Sequence, residues 1–133
     1  MKFAIETQGH SQVINITERV KECVENSQVQ SGAVLVFVAS STAAITILEY
    51  ESGIIKDLKE VLEKVIPENQ EYHHHQKWGD KNGAAHLKAA IFKPDLLIPI
   101  ENGKLRLGTW QQIVLIDFDE KPRQREVIVQ VLS

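Results

Sequence analysis

The sequence predicts an α+β fold, and three observations carry that expectation. Short apolar and β-branched runs follow one another in pairs across polar turns. Helical periodicity is confined to three stretches inserted between them. From Leu96 onward the chain reads only as strand and turn, which the regular alternation of a parallel βα sheet would not produce. At 133 residues, with no repeat and no linker rich in Gly, Pro or Ser, residues 1–133 form one domain.

Taken in order, KFAIET and SQVINI read as strands around the turn-prone Gln8-Gly9-His10. Thr17 stands where it can cap the helix TERVKECVENSQ, whose Val20, Cys23 and Val24 share a face. GAVLVFV is suited to a buried central strand, and AAITILEY follows as a second one. In SGIIKDLKEVLEKVIP, Ile54, Ile55, Leu58, Val61, Leu62 and Val65 make an apolar stripe that Pro67 ends. EYHHHQKWGDK reads as an irregular loop, and NGAAHLKAAIF as a third helix closed by Pro94. LLIPI, the tight turn Asn102-Gly103, KLRLGTW, QQIVLIDF and REVIVQVL complete the β part. Pro99 and Gly108 mark local bends or an edge.

A net charge of −3 with scattered Lys and Arg argues against a nucleic-acid binder. No apolar run approaches the roughly 18 residues that span a bilayer, and the N-terminal stretch lacks a long apolar core. One cysteine, Cys23, forms no disulfide within the chain. The expected setting is a cytoplasmic one, without membrane or nucleic-acid partners. Cys23 reads as a small core residue, Trp110 as a core or interface aromatic.

Three groups could carry chemistry. His73, His74 and His75 precede a turn, and His86 follows it in the first turn of an alanine-rich helix. Together they could offer imidazoles to a divalent ion such as zinc, with Asp57 or Glu49 supplying oxygen, or they could be ordinary surface histidines. No compact metal signature of the HExxH kind is present. Ser40, Ser41 and Thr42 offer hydroxyls and bare amides beside small residues, which suits a phosphate or equally a plain turn. Asp57 lies early in its helix, where the dipole alone favours a carboxylate.

STAAITILE, Tyr72-x-His74, NGAAHLKA, LLIP, NGKLRLGTWQQIVLIDFD and REVIVQV occur in this order, and together they resemble the YjbQ-like family. The resemblance runs from about Phe3 to Val131. It implies two packed, mainly antiparallel β-sheets, sandwich-like, with about three inserted helices, assembled as a homotrimer. It also implies a thiamine-phosphate synthase activity, joining a pyrimidine pyrophosphate to a thiazole phosphate. The family pattern singles out Thr42, Glu49, Asp57, His74, Asn82, His86, Thr109, Gln111 and Arg125. The chain departs from it at Ser40, where many members carry a histidine.

From these readings His86, Asp57 and Glu49 are the expected catalytic groups. Ser40, Ser41, Thr42, Asn82, Gly83, Thr109, Gln111 and Arg125 are expected to hold a small phosphorylated substrate. A zinc or magnesium ion would take His74, His75, His86 and Asp57. The alternative is a non-catalytic trimeric module binding a metal or a phosphometabolite. Convergence of His86, His74 or His75, and Asp57 or Glu49 on one point is the geometric test of a shared pocket.

Overall fold

The computed structural model describes residues 1–77 and 79–133. Its elements are β1 (Lys2–Thr7), β2 (Gln12–Asn15), α1 (Thr17–Ser27), β3 (Ser31–Val38), β4 (Ala43–Leu48) and α2 (Ser52–Val65). There follow α3 (His73–Lys77), α4 (Gly83–Phe92), β5 (Asp95–Glu101), β6 (Lys104–Leu105), β7 (Gln112–Asp117) and β8 (Arg123–Leu132). A five-stranded sheet has the order β1-β8-β3-β5-β6, and a three-stranded one β2-β7-β4. Every strand pairing in both is antiparallel. The α+β expectation of two sheets with inserted helices holds.

Strand periodicity builds the layers. Along β7, Ile113 and Leu115 point into one core and Val114 and Ile116 into another. The first core lies between the sheets, where Val34, Val36, Val127 and Val129 of the larger sheet meet Ala43 and Ile45 of the smaller. The second lies on the far face of the smaller sheet, beneath Leu62 of α2 and Ala85 and Ala89 of α4. The small sheet is therefore buried on both sides, and β7 reads as a continuous apolar run. Helix α1 adds Val20 and Val24 to the inter-sheet core.

Four details depart from the sequence reading. Thr17 does not cap α1, because Ile16 takes that position. Instead the Asn15 carboxamide oxygen accepts from the Thr17 N–H at 3.0 Å, and the Thr17 hydroxyl accepts from the Ile113 N–H at 2.8 Å. The expected strand KLRLGTW is ordered as strand only over Lys104–Leu105. The loop of histidines contains a one-turn helix, α3. Of the two readings of Trp110, core or interface, its 72% exposure in the single chain removes the first. The Asn102-Gly103 turn is as expected, with φ of 54° and 76° joining Glu101 to Lys104.

Candidate functional site

The inner faces of the sheets are apolar along most of their length and turn polar at one end. Phe3, Ile5 and Thr7 of β1 share a face by the two-residue period, as do Arg123, Arg125, Val127 and Val129 of β8, and Ile113, Leu115 and Asp117 of β7. Where the valines stop, the charged residues meet. Asp117, with no exposed surface, accepts from Arg125 Nε at 2.6 Å, from Arg125 Nη2 at 3.0 Å and from the Thr7 hydroxyl. A two-nitrogen grip on one carboxylate is the strong form of this pair.

Asp119, 1% exposed, ties the network to the helix layer. Its Oδ2 accepts from the Thr42 hydroxyl at 2.9 Å, from Arg123 Nε at 3.1 Å and from Arg125 Nη2 at 3.4 Å. Its Oδ1 accepts from the Glu120 N–H at 2.7 Å and from Asn82 Nδ2 at 3.4 Å. Burial by itself would push the Asp119 carboxyl up, but those donors and the Arg123 charge hold it below its ordinary value. Arg125 is likewise opposed by burial and held above its ordinary value by Asp117 and Asp119.

Asn82 sits just before α4, with its amide donating to Asp119, so its buried Oδ1 is left as an acceptor without a partner among the described residues. The next N–H, of Gly83, donates to His75 Nε2 at 3.0 Å. In that bond the His75 Nε2 is the acceptor. Only a residue without a side chain fits there, since a Cβ on Gly83 would lie 2.9 Å from Tyr72 Cβ and 3.1 Å from His75 Nε2. Tyr72 is itself anchored by its hydroxyl on the Pro67 carbonyl at 2.6 Å, and burial raises its phenol above the ordinary value.

His86, one turn into α4, meets His74 of α3 with ring centroids 4.6 Å apart. Burial lowers the proton affinity of His86, the His74 charge lowers it further, and Asp119 and Asp80 act in the opposite sense. The net shift is downward, which favours the neutral imidazole. It lines a cleft of about 250 Å³ with Ser40, Ser41, Ala43, Ala89, Ala90 and Pro94. Ser40 Oγ accepts from the Thr42 N–H at 3.1 Å, which folds the Ser40–Thr42 turn beneath the cleft.

The structure thus gathers His74, His75, His86, Asn82, Gly83, Ser40, Ser41, Thr42 and Arg125 at one end of the smaller sheet. It does not bring Glu49, Thr109 or Gln111 there within one chain. Ala43 pairs with Asp117 at the near end of β4 and Leu48 with Gln112 at the far end, so Glu49 stands roughly 20 Å along the strand from Thr42. Asp57 is exposed on α2, rotated by roughly 130° from the packed face of Ile55, Leu58 and Leu62. The carboxylates that act on His86 are Asp119 and Asp80, and the expected convergence with Asp57 or Glu49 is corrected on that point.

Three further roles change. Arg125 commits Nε and Nη2 to Asp117, Asp119 and Thr42, which leaves Nη1 as the one nitrogen it could offer a ligand. The Gly83 N–H is taken by His75. The Thr42 hydroxyl donates to Asp119 and accepts from Arg125. Asp117 and Asp119 were not singled out from sequence, although the available signal was IDFD, two acids ending an apolar strand at alternate positions. Among the described residues no group of three His, Cys, Asp or Glu stands ready to hold a metal ion. Nor is any helix long and apolar enough to cross a membrane.

Fold and site define a class: two-sheet α+β domains in which a buried carboxylate–guanidinium network underlies a histidine-lined cleft. The model of the UPF0047 protein YjbQ-like family matches residues 1–133, and the chain belongs to that family. A UPF0047 protein of Archaeoglobus fulgidus is 40% identical over 132 residues, covering 99% of this chain and 100% of the relative. One from Synechocystis is 36% identical, covering 97% and 88%. Among solved structures, a YbjQ-like protein of unknown function from Sulfolobus solfataricus superposes with a TM-score of 0.91 at 31% identity, covering 100% and 96%. An uncharacterized conserved protein of the same family from Clostridium acetobutylicum gives 0.90 at 37% identity, covering 99% of each chain.

Proposed function

We propose that this chain is an enzyme acting on a small phosphorylated substrate in the cleft above His86, and that thiamine-phosphate synthesis is its named form. The observation that carries the reading is the His86 ring, tilted against that of His74 and lining one cleft with Ser40 and Ser41. In the reaction a thiazole ring nitrogen bonds to the methylene carbon of a pyrimidine pyrophosphate. The C–O bond to pyrophosphate breaks, and the pyrophosphate leaves with the electron pair. The thiazole becomes a thiazolium, and no proton need leave that nitrogen.

The work left to the protein is positioning and stabilising the leaving group. Ser40 and Ser41 donate hydroxyl hydrogen bonds to phosphate oxygens, and the N–H of neutral His86 donates to the departing pyrophosphate. The Asp119 network, which holds the Asn82 amide and the Thr42 hydroxyl, keeps this ground rigid. A divalent ion, zinc or magnesium, would be held by His74 and His86 and would neutralise pyrophosphate charge. Two imidazoles from one chain fall short of the three protein ligands usual for catalytic zinc, so no step is routed through a metal. The reading includes a homotrimer, in which a neighbouring copy could bring the Glu49, Thr109 and Gln111 end of one chain to the His86 end of another.

The test is His86→Ala, assayed for thiamine phosphate and pyrophosphate from the two precursors, beside sedimentation of the same sample. Turnover should be lost with the assembly intact. Unchanged turnover in a folded His86→Ala would remove His86 from the mechanism. Calorimetric binding of the precursors by the wild-type protein without product would instead favour a non-catalytic module.

A further inference from the structure

A cavity of about 650 Å³ lies between α2 and the start of α4, walled by Glu63, Glu68, Glu71, His75, Lys81 and Glu120. It is not the His86 cleft. Lys88 stands two residues after His86, roughly 200° round the helix, and its ammonium reaches Glu63 at 3.2 Å. His86 and the cavity therefore flank α4 on different sides, and a neighbouring copy seated on the His86 cleft meets the flank away from the cavity. Adjacent residues of α3 divide in the same way: His74 meets the His86 ring, and His75 lines the cavity.

His75 is the observation that points to a ligand. Its side chain is 5% exposed, and Nε2 accepts from the Gly83 N–H. Nδ1 is then the ring nitrogen left to donate, and it is buried without a hydrogen-bond partner among the described residues. Glu71 Oε2, on the cavity wall, stands 3.9 Å from it, beyond hydrogen-bond reach. A buried donor without an acceptor is unfavourable, and an acceptor oxygen brought by an occupant of the cavity would satisfy it.

The rest of the wall defines the molecule to which that oxygen belongs. Glu63, Glu68, Glu71 and Glu120 place four carboxylates around the cavity, against Lys81 on the wall and Lys88 behind Glu63. The excess of carboxylates over ammonium groups favours a cation. A bare metal ion is a poor fit, since among the described residues no three such groups stand ready to hold one. Apart from the imidazoles of His10 and His75, no lining side chain is aromatic, and none is aliphatic. A ligand with an alkyl or aryl surface would find nothing apolar to rest on. The occupant that meets all these conditions is an amine carried on a hydroxylated frame. Glu63 is tied to Lys88, and Glu68 to His10 Nδ1 at 2.6 Å. That leaves Glu71 and the second oxygen of Glu120, whose Oε1 takes the Lys81 N–H.

We propose that this cavity binds an amino sugar, its protonated amine on Glu71 and Glu120 and one of its oxygens accepting from His75 Nδ1. The site does not depend on the reaction proposed at His86.

The experiment uses the whole chain, glucosamine hydrochloride as the probe, and the NMR ring signals of the five histidines, each assigned by its loss on substitution. Titration, against sodium chloride at matched ionic strength, should move the His75 signals saturably and leave those of His86 in place. Glu71→Gln combined with Glu120→Gln keeps both acceptor oxygens and removes two charges. That chain should bind about tenfold more weakly or worse by calorimetry. His86→Ala should bind as the wild type does, so this result and the fate of the proposed reaction are read separately. Glucose, with hydroxyls but no charge, should not bind. Butanediamine, with charge but no hydroxyl, should bind about tenfold less tightly. Saturable binding of glucose, equal binding of butanediamine, or unchanged affinity in the doubly substituted chain would each overturn the proposal. So would a shift confined to His86, or no saturable response at all.

Discussion

Arg125 shows how much one side chain can be asked to hold. It faces Asp117, which has no exposed surface, and removing the guanidinium would strand that carboxylate in an apolar seam. Breaking a buried pair from one side costs about 3–5 kcal/mol. Arg125→Met should therefore lower stability by about that amount in urea unfolding, while Arg125→Lys, which keeps the charge but loses the two-nitrogen grip, should fall between. An Arg125→Met variant within 1 kcal/mol of wild type, a margin of about the size of an ordinary surface change, would show that the pair contributes little. Sequence made the histidines and the Ser40–Thr42 turn visible because both are unusual in composition. Asp117 and Asp119 were not visible, because an acid at the end of a strand looks like the start of a polar turn. Only the pairing of β7 with β4, and the inward face of β8, reveal that they are buried.

Elements with strong periodicity were legible almost to the residue. The Ile55, Leu58 and Leu62 part of the α2 stripe, the Pro67 and Pro94 stops and the Asn102-Gly103 turn each follow from one local rule, whereas Val61 and Val65 of the expected stripe lie exposed. What local rules did not give was the truncation of β6 or the fate of Thr17, since each depends on a partner distant in sequence. The β1–β2 turn is a case where sequence and packing agree. Gly9 has φ of +81°, and a Cβ there would lie 2.4 Å from the Asp119 carbonyl oxygen. Gly9→Ala meets both a backbone conformation unfavourable to L residues and a collision with backbone that cannot swing aside. It should cost about 2 kcal/mol or more, read as a lowered urea midpoint with an unchanged m-value. Helices α2 and α4 are joined by a different device, a 3.2 Å pair between buried Lys88 and half-exposed Glu63. Burying an ammonium for one exposed partner gains little, so Lys88→Met should be neutral or stabilising by about 1 kcal/mol. A drop of several kcal/mol in Lys88→Met would mean that the charge matters more than its volume.

At the scale of the molecule, Asp119 links three layers: Thr42 entering the smaller sheet, Arg123 and Arg125 on the larger, and Asn82 at the start of α4. Acid should loosen this junction, and the direction follows from the Asp119 carboxyl lying below its ordinary value in the fold. As pH falls, the unfolded chain takes up this proton first, so protonation favours unfolding. The stability that ionised Asp119 contributes is fully present above the unfolded value, near pH 4, and is lost as pH falls through the lower folded value. Asp119→Asn removes both the contribution and its pH dependence. Urea midpoints measured from pH 7 down to about pH 2.5 should show the variant less stable at neutral pH and declining less steeply below about pH 4. The two curves should then approach one another at the acid end. The Asn82 amide and the Thr42 hydroxyl keep partners in the variant, so the fold should survive for the comparison. Parallel curves, offset by the same amount at every pH, would mean that Asp119 acts through packing alone and that acid opens the molecule elsewhere.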